Sequence, residues 1–139
     1  MNNLLNRARE ILTENNFTCV IIKDQHQYTS MSRGVKPLLD WYDHETDLKG
    51  GYAADKVVGK AAAYLYVLLK IKAVHAGIIS KTAYEVFKKY NIEIYYDNMV
   101  DAIINRNKTG YCPMETLVMD IDTPELALKA IKTRLIEGF

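Results

Sequence analysis

The sequence predicts an α/β fold: a three-layer arrangement with a mixed β-sheet between helices on both faces. Three observations lead there. At 139 residues the chain suits one domain, residues 1–139, with one core. Its second half alternates apolar strand patterns with amphipathic helix patterns, which demands parallel strand pairs. Its first third carries two strand patterns across a short polar turn, which adds an antiparallel pair.

Taken in order, Leu4, Leu5, Ala8, Ile11 and Leu12 recur at helical spacing, and Asn15-Asn16 ends that first helix. Residues 17–22 are β-branched and apolar, a buried strand. The segment Lys23-Asp24-Gln25-His26 is a turn, and Gln27-Tyr28-Thr29-Ser30 returns as the hairpin partner. Pro37 suits the first turn of a short helix through Trp41. Asp43 to Gly51 is acidic and closes on two glycines, a loop. Tyr52 to Lys70, rich in Ala and Leu, reads as the longest helix. Ala73 to Ile79 is a buried strand. Ser80 can cap a helix over 81–90, and Asn91 suits its left-handed end. Ile92 to Tyr96 alternates as a strand, and Asp97 can cap a helix running to about Asn105. Pro113 starts a short helix through Met119. Thr123-Pro124-Glu125 opens the last helix, to Ile136.

Composition removes several function classes. Net charge is +1 with no Lys/Arg run, so nucleic acid is not an indicated partner. The longest apolar stretch, residues 61–69, is far too short to span a bilayer, and no secretory leader is read. Cys19 and Cys112 lack a disulfide framework. Reduced thiols and a cytoplasmic location follow as expectations, with no mutual disulfide.

Candidate site residues fall into three groups. On the helix reading, Asp55 and Lys56 lie in a first turn, where Asp suits the macrodipole and Lys does not. Lys60 follows one turn later on the same stripe. An anion site of free N–H groups plus Lys56 accounts for this, with Lys56 polarising a leaving group and Asp55 orienting it; a solvated Lys stripe accounts for it equally. Ser32-Arg33-Gly34-Val35-Lys36 offers a second Gly-containing anion turn, or simply a capped turn with exposed basic residues. Cys112 before a helix can be an activated nucleophile with Glu115 as acid or base, or a packing residue beside a first-turn carboxylate. Ser80, Asn105 and Arg106 complete the candidate ligand-binding set. His75 reads as a satisfied sheet histidine and His26 as solvated. His44-Glu45-Thr46-Asp47 fits no standard metal spacing.

Tyr111-Cys112-Pro113-Met114-Glu115 resembles half of the zinc-deaminase signature H-x-E…P-C-x-x-C, with Glu115 in place of the second Cys. Three blocks extend the likeness over nearly the whole chain. They are residues 32–39 (Ser32-Arg33-Gly34-Val35-Lys36-Pro37-Leu38-Leu39), 54–61 (Ala54 to Ala61), and 103–115 (Ile103-Ile104-Asn105-Arg106 leading to Glu115). Through them the chain resembles a small prokaryotic family of unknown function with the cytidine-deaminase-like fold. In that fold H-x-E opens the helix after the hairpin, and P-C-x-x-C opens the helix after the next strand. With Tyr52–Lys70 as a helix, these places are Ala53-Ala54-Asp55-Lys56 and Ser80-Lys81-Thr82-Ala83, which hold no His, Glu or Cys. Three zinc ligands are missing, so the expectation is a protein with no metal and no cofactor. The resemblance implies a zinc-independent small-molecule enzyme, or a binder of a small anionic, nucleotide-like ligand. The alternative is a non-catalytic protein-interaction or oligomerisation module, and a homodimer is the partner arrangement the resemblance suggests.

Overall fold

The computed structural model describes residues 3–104 and 108–137. The elements are α1 (Asn3–Glu14), β1 (Cys19–Lys23), β2 (His26–Ser30), α2 (Lys36–Asp43), β3 (Tyr52–Val58), α3 (Lys60–Leu69), β4 (Ala73–Ser80), α4 (Lys81–Lys89), β5 (Glu93–Val100), α5 (Pro113–Val118) and α6 (Pro124–Glu137). They build one mixed five-stranded sheet in the order β2-β1-β3-β4-β5. β1 runs antiparallel to β2 and β3, whereas β3, β4 and β5 are mutually parallel. No described helix is long and apolar enough to cross a membrane.

Alternation along the strands sorts the core into two faces. Val20, Ile22 and Ala54 meet Ala8, Ile11 and Leu12 of α1 on one face. Cys19, Ile21, Ala53, Val74 and Ala76 meet residues of α2, α3 and α4 on the other. The three layers are therefore unequal: α1 covers one face, and α3 is packed among α2, α4, α5 and α6 on the other. Its run Ala61-Ala62-Ala63 is buried, which admits close neighbours.

Two sequence expectations are corrected. Residues 52–70 are not one helix; β3 occupies 52–58 and α3 begins only after Gly59. The Ala-rich run hides the boundary, because Ala53 and Ala54 are helix formers taken into a strand by pairing with Ile21 and Val20 on one side and Val74 and His75 on the other. Asp97 does not cap a helix either: the ladder with β4 carries β5 on to Val100, residues 101–104 are not helical, and Asn105 lies outside the described residues. The remaining elements fall within a few residues of their expected bounds. Asn16 and Asn91 both take left-handed φ, 58° and 60°, just beyond the helices they follow.

The inward set of β4 slips by one residue. Val74, Ala76 and Ile79 all join the helix-side core. A Cβ on Gly77 would lie 2.8 Å from the Lys56 carbonyl oxygen, so glycine is needed where β3 approaches. Just past it, the partners Ile78 and Val57 are exposed, at 38% and 45%.

Candidate functional site

β2, β3, β4 and β5 all end at one edge of the sheet, and α2, α3 and α4 start from there, the usual ligand-binding edge of an open α/β sheet. One rung of the sheet near this edge runs Ser30–Cys19–Asp55–Ala76–Tyr96. Tyr66 of α3 stands over it, fully buried. Its hydroxyl donates to Asp55 Oδ2 at 2.6 Å. A phenol has one proton, so the Cys19 thiol, 3.2 Å from the same oxygen, is the donor to it. The result is a directed chain from thiol to phenol to carboxylate. Burial pushes Asp55 up to about 6, against the opposing hydrogen bonds from Tyr66 and the Val57 and Lys56 amides. Burial, then the Asp55 charge, holds both the Cys19 thiol and the Tyr66 hydroxyl well above their usual ranges.

A second carboxylate sits at the start of α3. Glu115 Oε1 accepts the Lys60 N–H at 2.7 Å and Oε2 accepts the Ala61 N–H at 3.2 Å. These are two of the N–H groups a helix leaves without an internal partner. A Cβ at Gly59 would overlap the Glu115 carboxylate, so the absence of a side chain there makes the room. Burial raises the Glu115 pKa, opposed by the Lys60 and Ala61 amides and then by the Lys60 charge. The Lys60 ammonium turns away, donating to the Met119 carbonyl at 3.0 Å and lying 5.8 Å from the Tyr64 ring centroid. Cys112, a half-buried free thiol at the N-cap of α5, makes no capping bond with its side chain.

The other candidates are dispersed. Lys56 lies in a strand, not in the first turn of a helix. Its ammonium donates to Asn16 Oδ1 at 3.1 Å, beyond the end of α1. Asp55, paired with Tyr66, faces the helix-rich side, so the two adjacent residues do not converge. Ser32, Arg33 and Gly34 form an exposed turn before α2, with Gly34 at φ 75° and the Ser32 carbonyl accepting from the Thr18 hydroxyl at 2.6 Å. Lys36 pairs with Asp40 at 3.1 Å. Ser80 is buried and caps α4 by accepting the Ala83 N–H at 3.1 Å. Asn105 and Arg106 fall outside the described residues.

The corrected element order also moves the two deaminase ligand places. The helix after the hairpin is α2 and the helix after the next strand is α3, so the places fall at Gly34-Val35-Lys36-Pro37 and Gly59-Lys60-Ala61-Ala62. Neither holds His, Glu or Cys. No group of three His, Cys, Asp or Glu among the described residues is placed to hold a metal. His75 Nε2 lies 3.3 Å from Asp97 Oδ1, with burial and then Arg9 holding its pKa down. A groove of about 520 Å³, lined by Tyr42, Asp43, Glu45, Lys49, Lys70 and Lys132 among others, lies at the carboxyl ends of α2 and α3, away from this edge.

Sequence reasoning missed Tyr66 and Cys19 as members of the site. Cys19, Asp55 and Tyr66 have no motif spacing; only the pairing of β1 with β3 and the packing of α3 bring them together.

A family model described as TM1506, domain of unknown function (DUF1893), matches residues 7–135. The crystal structure of a DUF1893 family protein (TM1506) from Thermotoga maritima is similar over 96% of this chain and 90% of its own, at 28% identity and a TM-score of 0.89. A diaminohydroxyphosphoribosylaminopyrimidine deaminase/5-amino-6-(5-phosphoribosylamino)uracil reductase from the same organism is more distant. That similarity covers 68% of this chain and 35% of the other, at 16% identity and a TM-score of 0.42. No curated protein matches.

Proposed function

The chain belongs to the DUF1893 family, a domain of unknown function, and within that family we propose that it is a zinc-independent domain that binds a small anionic ligand at the carboxyl edge of the sheet. The observation that carries this reading is Glu115. A carboxylate already rests on the Lys60 and Ala61 amides, in space that Gly59 leaves open. The start of α3 therefore has the donor geometry that a ligand carboxylate or phosphate needs, and such a ligand would displace Glu115. Arg33 and Lys36 at the start of α2 supply further positive charge, and Asp55 supplies a group able to exchange a proton near neutral pH. A nucleotide-like ligand is the form suggested by the deaminase-like resemblance.

Thermal denaturation with inorganic phosphate and with nucleotides tests the reading. A ligand that binds the native state raises Tm by mass action. Glu115→Ala should lower the ligand-free Tm, because the cap is lost, and should steepen the phosphate response, because the internal competitor is gone. Lys56→Ala should leave that response intact. If Glu115→Ala and the parent protein show the same flat response to every anion, the reading is wrong.

The module reading has an observation of its own. Exposed apolar side chains lie near the carboxyl ends of the strands: Met31 just past β2, and Val57 paired with Ile78 on β3 and β4; Ile104 and Tyr111, exposed as well, pair in a bridge beyond β5.

A further inference from the structure

β5 closes one side of the sheet, and β4 is the only strand hydrogen-bonded to it among the described residues. It is as long as β4, has no Lys or Pro, and none of its residues is buried. Long edges pair with other strands, and soluble proteins shield them by shortening, by charged side chains, lysine above all, or by proline; the only charges on β5 are Glu93 and Asp97, and Asp97 is held by His75 and Arg9 of its own subunit. The opposite edge, β2, is shorter: His26–Ser30.

We propose that β5 is a homodimer interface, in which two copies pair their β5 strands antiparallel about a twofold axis at Tyr96 and join their sheets into one. The strand is self-complementary in that register. Tyr96 faces Tyr96 of the partner subunit, Tyr95 faces the partner's Asp97, Ile94 faces the partner's Asn98 and Glu93 faces the partner's Met99. No two like charges stand directly opposite, which antiparallel pairing requires. Residues 93–99 would form a ladder of about 23 Å. Its centre is aromatic: Tyr96 is 41% exposed and meets Tyr84 of α4 edge-on at 5.9 Å. Two copies would therefore bring four tyrosines together on the axis, where interface energy concentrates. At each end, the ion pair of Lys81 with Asp101 at 2.8 Å lies at the carboxyl end of β5, and the twofold sets this neutral pair near the exposed Glu93 of the opposite strand's amino end. Such a contact is isologous and closed, so it stops at two subunits.

Analytical ultracentrifugation at micromolar concentration should give the mass of a dimer. Tyr96→Lys should raise the dimer dissociation constant at least about 100-fold while leaving the circular dichroism spectrum unchanged. Since the register sets residue 96 against itself, Tyr96→Cys in a Cys112→Ser background should oxidise to a covalent dimer on a non-reducing gel. Cys19 is buried and does not compete. A monomeric parent protein overturns the proposal. So does a dimer that survives Tyr96→Lys, or a Tyr96→Cys variant that stays monomeric under oxidation.

Discussion

Asp55 holds a carboxylate beneath α3 and has no ion-pair partner among the described residues; Tyr66 and backbone amides stabilise its charge. Its folded pKa, about 6, stands above the ordinary 3.8. Its contribution to stability is therefore complete below pH 4 and is lost as pH rises through 6. Asp55→Asn cannot ionise and can still accept from Tyr66. Relative to the parent, the variant should gain stability between pH 4 and pH 7, by no more than about 3 kcal/mol. Urea denaturation at the two pH values measures this; an unchanged difference would show that the carboxylate is not strained by burial. Asp55 was visible in the sequence as a candidate, but for the wrong reason. Read in a helix it is a first-turn carboxylate that suits the helix dipole beside Lys56; in a strand it turns to the face opposite Lys56, and its partner becomes a tyrosine eleven residues on.

At the scale of elements, the junction between β3 and α3 depends on Gly59 and Glu115 together. Gly59 takes φ −99°, which any residue adopts, so its requirement is one of space and not of backbone freedom. Gly59→Ala should cost about 1–3 kcal/mol, as expected for an overpacked site. Glu115→Ala should cost about 1 kcal/mol, as expected for a lost cap. The double variant should be more stable than the sum of the two implies, because each single change already removes the carboxylate from the amides. Additive costs in denaturant unfolding would separate the two residues. Local chemistry explains which element ends were readable. Asn16, Ser80, Asn91 and Pro124 each mark a boundary within their own turn, and those boundaries were legible. Gly59 marks a boundary through a side chain of α5, far along the chain, and nothing nearby announces it. The extension of β5 through Asp97 and Asn98, poor strand formers, likewise comes from its neighbour β4.

For the whole molecule, the α/β class, the hairpin and the later parallel strands were legible, because period and punctuation report which face of each element is apolar. The number of strands was not, since β3 is buried by pairing on both sides and needs no alternation of its own. The candidate residues could be named from the sequence, but how they lie relative to one another could not. Glu115 and Asp55 belong near the strand ends, Lys56 departs toward α1, and the chain from Cys19 to Asp55 exists only once three distant segments meet.

The unequal layering sets an order of assembly. α1 leaves the ribosome before the strands it covers, yet its apolar stripe has a complete landing surface only after β1, β3 and β4 lie side by side. Bringing α1 and those three strands together spans residues 3–80, more than half of the 139 residues, and such long-range closure is slow. α1, made before the strands, should therefore be among the last elements to dock. Ile11→Val, which trims the α1 contact, should accelerate unfolding while barely slowing refolding, whereas Val74→Ala in β4 should slow refolding. Stopped-flow chevrons for the two variants would reveal it, and a refolding arm lowered by the full loss at Ile11 would put α1 in the nucleus instead. Until it docks, Val20, Ile22 and Ala54 remain open to water, and the nascent protein passes through a stage with one sticky face.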